Sequence, residues 1–219
     1  MDVARRDLAG KTVVVLGASS AHGAATARML GREGANLALG GRDRQKLEAL
    51  GEEVHASGGR AVVVGVHLAK RHHLAHLIGA AVEAFGGLDA LLFMAHASAP
   101  SLESQDLDAW DRSVDVNLKG LLYAVAAAIP ILRENGGHIL TLGAEDPQAT
   151  DPLYRASRAA WRVLLQEVAR EFSDEGIRAS EVTMGDPSRT DPERFAGIVR
   201  RLLADPSSAG FATRSVLEA

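Results

Sequence analysis

The sequence predicts an α/β fold: a doubly wound parallel sheet of six to seven strands with helices on both faces. Three observations predict it. Short β-branched runs alternate along the chain with stretches of helical length, the pattern of βαβ units. The first run, Thr12-Val13-Val14-Val15-Leu16, is apolar without alternation, as a strand buried on both faces requires. A glycine-bearing loop, Gly17 to Gly23, joins that run directly to the first helical stretch.

The remaining elements follow in order. The first helix spans Ala24 to Gly34, with Gly34 as its stop. Ala35 to Leu39 forms a second strand and Asp43 to Ser57 a helix. Ala61 to Val66 forms a third strand and Ala69 to Phe85 a helix. Leu88 to Met94 is a fourth strand, followed by a long helical region from Leu107 to Glu134. His138 to Leu142 is a fifth strand, Asp151 to Asp174 a helix, and Ile177 to Thr183 a sixth strand. Asp191 to Leu203 reads as one more helix and Ser215 to Leu217 as a short seventh strand. The glycine pairs 58–59, 86–87 and 136–137 each precede a strand, so they mark helix ends within one domain covering residues 1–219.

Composition narrows the class. Of 219 residues, 47% are hydrophobic and 24% charged, enough for one sizeable core. Aromatic residues make up only 4%, so that core is mostly aliphatic. A net charge of −4 with interspersed signs gives no electrostatic case for nucleic acid or an anionic membrane. With no cysteine, thiolate catalysis and disulfides are excluded. The apolar run Leu121 to Leu132 contains Pro130 and reads as a buried helix, and a soluble cytoplasmic protein is expected.

In an open parallel sheet, ligands bind at the carboxyl ends of the strands. Gly17 permits the turn after the first strand, and Gly23 lets the helix start lie close to it. Free N–H groups and the helix dipole there favour a pyrophosphate, and Ser19 and Ser20 can donate to phosphate or ribose oxygens. Ala21 occupies the middle of this loop, where a methyl crowds a ligand or strains a positive φ. After the second strand, Gly40-Gly41-Arg42 offers no carboxylate for ribose hydroxyls. The Arg42 guanidinium suits a 2′-phosphate, pointing to NADP over NAD, and equally suits a solvated helix start. Of the histidines, His72 and His76 share a helical face, but two imidazoles make a weak metal site and no metal is expected.

Further motifs are more specific. Val114-Asp115-Val116-Asn117-Leu118-Lys119-Gly120, Tyr154-Arg155-Ala156-Ser157-Arg158-Ala159-Ala160, and Gly176-Ile177-Arg178-Ala179-Ser180 followed by Met184-Gly185 occur in that order. With the glycine loop, they make the chain resemble the short-chain dehydrogenase/reductase family over nearly its whole length. The resemblance implies a Rossmann-like fold and a homodimer or homotetramer. It implies Asn117 as anchor of a proton relay, Tyr154 as general acid/base, Arg158 in place of a lysine, and Ala95 beside the cofactor. A cation one helical turn from a phenol lowers its pKa from about 10 and readies it for proton exchange.

The departures are as definite. The family's catalytic serine has Ala144 or a neighbour in its place. The Asn-Asn-Ala-Gly segment after the fourth strand is Phe93-Met94-Ala95-His96, and the aspartate after the third strand is His67. Glu145 and Asp146 offer carboxylates near the missing serine, and they also suit a solvated loop. The expected activity is an NADP-dependent oxidoreductase acting on a small carbonyl or alcohol. Two alternatives stay open: a non-redox, dehalogenase-like or lyase activity through Tyr154 and Arg158, and a catalytically inactive binding subunit.

Overall fold

A computed structural model describes residues 8–144, 151–186, 189–205 and 211–216. Seven parallel strands form one sheet in the order β3-β2-β1-β4-β5-β6-β7. They are β1 (Thr12–Leu16), β2 (Asn36–Gly41), β3 (Arg60–Gly65), β4 (Ala90–Phe93), β5 (Gly137–Ala144), β6 (Ile177–Met184) and β7 (Phe211–Val216). The seventh strand begins four residues earlier than the sequence suggests; its register pairs Ala179 with Phe211 through Met184 with Val216. Leu217, Glu145 and Asp146 lie outside the described residues.

The helices are α1 (Ala21–Arg32), α2 (Arg44–Ala56), α3 (Arg71–Phe85), α4 (Leu107–Val114), α5 (Gly120–Asn135), α6 (Pro152–Glu171) and α7 (Pro192–Ala204). Each strand sends alternate side chains to opposite faces. On one face, Val13, Val15, Leu37 and Leu39 pack with Leu30 of α1, Leu47 of α2 and Phe195 of α7. On the other, Val14, Leu16, Leu91 and Ile139 pack with Leu77 of α3, Leu121 of α5 and Trp161 of α6. The polypeptide therefore has two cores, one per face.

The predicted Leu107–Glu134 helix is three pieces. A single wide π turn, Asp115–Lys119, separates α4 from α5 and contains Asn117. Pro130 lies inside α5 without ending it; it sits on the exposed side, where the Ala126 carbonyl that loses its N–H partner also lies. The buried face of α5, from Leu121 to Leu132, lies against the sheet as expected.

First-strand register also fixes where the chain can bend. Gly17 has φ +89°, a left-handed value, and a Cβ there would fall 2.7 Å from the Ala95 nitrogen. Loop residues after β1 and β4 are therefore forced close together at the carboxyl edge of the sheet.

His138 in β5 is buried at 1% exposure, with Nε2 2.9 Å from Ser180 Oγ. Burial, and then the Arg178 charge, push its pKa down from 6.5 to about 3. The unfolded chain binds this proton below about pH 6.5 and the folded chain does not, so folding is weakened as pH falls. Between those two values the loss should approach ~1.4 kcal/mol per pH unit from this group. Denaturant titrations from pH 7 to 4 should show that slope in the wild type and a shallower one in His138→Gln.

Candidate active site

A crevice of about 640 Å³ opens at the carboxyl ends of β1, β2 and β4, where an open parallel sheet places its ligand. Gly17, Ser19, Gly41 and Arg42 line one part of it, and Ala95 and His96 another. A second cavity of about 560 Å³ sits at the opposite edge, around Lys11, Asp89 and Gly137. Its cations are committed: Lys11 pairs with Asp89 at 2.8 Å, and Arg133 pairs with Glu175.

The phosphate loop is built by its own hydrogen bonds. Ser20 caps α1: its Oγ accepts from the Gly23 N–H at 3.0 Å and donates to the Gly17 carbonyl at 2.9 Å. Its hydroxyl proton is therefore engaged within the loop, and it shapes the cradle without offering that proton outward. A Cβ on Gly23 would collide with the Gly17 carbonyl, so glycine is required there. Ala21 is the first residue of α1; its φ is not positive and its methyl is exposed. The anticipated strain at Ala21 is absent. Ser19 Oγ lies 3.5 Å from the point a Cβ on Gly41 would occupy, which places it beside the end of β2.

This cradle fits a dinucleotide. Gly17 and Gly23 leave no side chain over the helix start, and the α1 dipole and free N–H groups face the crevice. Arg42 stands exposed at the end of β2, and Asp43 beyond it caps α2 by accepting from the Lys46 N–H at 3.1 Å. His67 also lines the crevice, with its backbone N–H donating to His73 Nδ1 at 3.0 Å. Among the described residues no group of three or more His, Asp or Glu side chains is arranged to hold a metal ion.

At the opposite end, Tyr154 is half-buried in the first turn of α6. Its ring lies against His96, with centroids 5.4 Å apart, and edge-on to Trp161 at 6.4 Å. Asp151 joins these parts. One carboxylate oxygen accepts from the Tyr154 N–H at 2.8 Å, capping α6, and the other accepts from the Ala99 N–H at 2.7 Å, holding the loop after β4. Desolvation along the crevice wall lowers the pKa of His96, although its outer edge is exposed, and the Asp151 charge opposes that shift. The imidazole is therefore neutral at pH 7.

Asn117 clamps the same loop from below. Its Oδ1 accepts from the Ala97 N–H and its Nδ2 donates to the Ala97 carbonyl, both at 2.8 Å, with Ser113 Oγ 3.0 Å from Nδ2. The Asn117 carbonyl accepts from the Trp161 indole N–H at 2.7 Å. Trp161 thus holds an oxygen that a relay anchor would present to water.

Arg158 is the clearest departure from expectation. The spacing of four does put it on the Tyr154 face of α6, but its side chain is 6% exposed and runs toward β5 and β6. Its Nη2 lies 2.8 Å from Glu181 Oε1, an ion-pair contact not aligned as a hydrogen bond. Glu181 is fully buried and also takes Arg162 Nε at 3.0 Å on its other oxygen. A Cβ on Gly143 would fall inside the Arg158 guanidinium, so the guanidinium fills the volume a side chain at 143 would need. Arg158 makes no hydrogen bond to Tyr154.

Asp151, Glu181 and Gly143 were missed by sequence reasoning as site residues. Asp151 was legible in principle: aspartate followed by proline is a helix-start signal. Glu181 lies in the middle of a buried strand, and a carboxylate there demands a buried cation, which α6 supplies.

A strand-end cradle, a phenol at a helix start and this sheet order define a dinucleotide-binding oxidoreductase scaffold. The comparisons make this specific: a short-chain dehydrogenase family model matches residues 11–194, and the chain belongs to that family. It is 30% identical over 218 residues to an uncharacterised oxidoreductase of Staphylococcus aureus strain MW2, covering 91% of this chain and 94% of that protein. It is 35% identical over 184 residues to the glycine betaine reductase ATRR of Emericella nidulans, covering 82% of this chain but 14% of that much longer protein. A metagenomic short-chain oxidoreductase in complex with NADP superposes with TM-score 0.88 at 28% identity, over 97% of this chain and 99% of that one. The NADH-dependent reductase A1-R′ responsible for alginate metabolism superposes with TM-score 0.86 at 25% identity, over 97% of each chain.

Because overpacking a core costs about 1–3 kcal/mol, Gly143→Ala should lower stability by about that much. In an Arg158→Ala background the same change should cost well under half as much, since the guanidinium it strikes is gone. Urea unfolding of the four proteins in the cycle measures both.

Proposed function

We propose that this chain is an NADP-dependent reductase or dehydrogenase of a small carbonyl or alcohol, with Tyr154 as its general acid/base. The single observation behind this reading is the crevice itself. It runs from a glycine cradle and Arg42 at one end to His96 at the other, and the Tyr154 ring lies against His96 there. Related structures hold NADP or use NADH, so the family leaves the coenzyme open. The end of β2 favours NADP, because Gly40 and Gly41 supply no carboxylate to repel a 2′-phosphate and Arg42 supplies a cation to bind one.

When bound, a nicotinamide dinucleotide supplies the hydride. Gly17, Ser19, Gly23 and the α1 N-terminus would hold its pyrophosphate, Arg42 its 2′-phosphate, and the Ala95 backbone its far end. Ser20 shapes that cradle through its two hydrogen bonds. Tyr154 exchanges a proton between its phenolic oxygen and the substrate oxygen. Asn117 acts through the loop it clamps. Arg158 holds β5, β6 and α6 together through Glu181, and in this reading it does not touch substrate.

The same reading places a homo-oligomer in the cytoplasm. Leu107, Leu122 and Val163 are exposed apolar side chains on α4, α5 and α6, which supports pairing of those helices between copies.

Fluorescence titration should give tighter binding of NADPH than of NADH. Arg42→Ala should weaken NADPH about 10–100-fold, the worth of charged hydrogen bonds, and leave NADH nearly unchanged. Tyr154→Phe should keep NADPH binding and lower turnover of any accepted carbonyl about 10²–10⁴-fold. Equal binding of the two coenzymes would overturn the NADP assignment, and an active Tyr154→Phe enzyme would overturn the proton-transfer role.

A further inference from the structure

The end of β5, which meets α6 at Arg158, offers the substrate no hydroxyl. Its last two residues are Gly143 and Ala144, and the one hydroxyl upstream, Thr141, is buried at 0% exposure in the sheet interior. A carbonyl oxygen receiving a proton from Tyr154 gains negative charge, and a second donor aimed at that oxygen is worth a large part of the rate.

The described residues place one candidate donor against the phenol. His96 lines the crevice and its ring is tilted 52° to that of Tyr154 at 5.4 Å. Its ring nitrogens make no hydrogen bond among the described residues, so both are open to a ligand. The loop that carries it is pinned on both sides of the next residues. Asn117 holds Ala97 through both its N–H and its carbonyl, and Asp151 holds Ala99. Asp151 also fixes the backbone of Tyr154, so the loop that carries His96 and the helix start that carries Tyr154 are held by one shared carboxylate.

We propose that His96 is a catalytic residue that donates an imidazole N–H to the substrate oxygen beside the Tyr154 hydroxyl, the position that β5 leaves without a donor. This rests on the redox reading above. In the reducing direction the carbonyl carbon gains the hydride and the C=O π pair moves to oxygen. The Tyr154 hydroxyl proton transfers to that oxygen, and the phenolate is reprotonated from solvent. The imidazole proton stays on His96, which acts as an electrophile in its neutral form. The nearby charged groups are Asp151, which shares the loop and α6, and Arg112 and Asp115, which line the same crevice from α4 and the π turn.

The test uses His96→Phe, which keeps a ring against Tyr154 but has no donor, and His96→Asn, which keeps a donor. NADPH-dependent reduction of a panel of aromatic aldehydes should fall about 10²–10³-fold in the Phe variant and recover at least tenfold of that in the Asn variant. NADPH affinity should stay within twofold in both. A second readout does not need turnover: benzamide, whose carbonyl mimics the substrate oxygen, is titrated into ¹⁵N-histidine-labelled protein saturated with NADP⁺. It should shift the His96 nitrogen resonances, bind the Asn variant, and fail to bind the Phe variant. If no aldehyde is reduced but benzamide still shifts His96 and needs its donor, the donor role stands and the redox reading falls. If aldehydes are reduced equally well by wild type and His96→Phe, the redox reading stands and the His96 proposal falls. Absence of both turnover and a benzamide shift overturns the proposal, as does an Asn variant no better than the Phe variant.

Discussion

A buried ion pair decides how this active site is built. Two opposite charges inside a protein are stable only when each is neutralised by the other, because either one alone carries an uncompensated desolvation penalty. Arg158 and Glu181 meet at 2.8 Å with almost no exposure. Arg162, 42% exposed, brings the remaining positive charge of the triad to the surface. The pair ties α6 to β6, and the guanidinium lies in the notch that Gly143 leaves on β5. Three positions are thereby linked: a carboxylate in a strand, a glycine in its neighbour, and an arginine on the covering helix. The arginine cannot leave without leaving the fully buried Glu181 to the more exposed Arg162 alone, and a side chain cannot return to position 143 without displacing the arginine.

This constraint moves the chemistry elsewhere. A cation held against its own counter-ion presents a dipole to its surroundings, which falls off faster than a free charge. In the proposed reaction, the group beside the Tyr154 phenol is then His96, whose ring lies against it. That face is organised by two polar residues with structural hydrogen bonds: Asp151, which caps α6 and holds Ala99, and Asn117, which grips Ala97. Trp161 completes the frame by donating to the Asn117 carbonyl at the π turn, while its ring packs edge-on to Phe93. Sheet, helix and loop are thus joined at one point, immediately below the phenol.

The fold was legible in the sequence because periodicity and glycine placement report on it directly. Buried parallel strands such as Thr12–Leu16 leave continuous apolar runs, and Gly17, with φ +89°, marks the first turn. The cradle was legible for the same reason. The chemistry at the far end was legible only as residue types in order. Spacing places Arg158 on the same helical face as Tyr154, but it does not say which way a long side chain turns. That was decided by Glu181, 23 positions on, and by the missing Cβ of Gly143, neither of which is local to the motif. Ser20 illustrates the same limit, since its hydroxyl closes the loop by capping α1 where its position alone suggested a phosphate ligand. The three-part form of the Leu107–Asn135 helix was hidden because a π turn leaves helical periodicity nearly intact.

The most direct measurement of this account is a crystal structure of the protein with bound NADPH, refined to a resolution that fixes the Arg158 guanidinium. It should remain in ion-pair contact with Glu181 in the Gly143 notch, with the crevice between Arg42 and His96 filled by the coenzyme. A guanidinium swung out of the notch to contact Tyr154 or the coenzyme, leaving Glu181 to Arg162 alone, would contradict it.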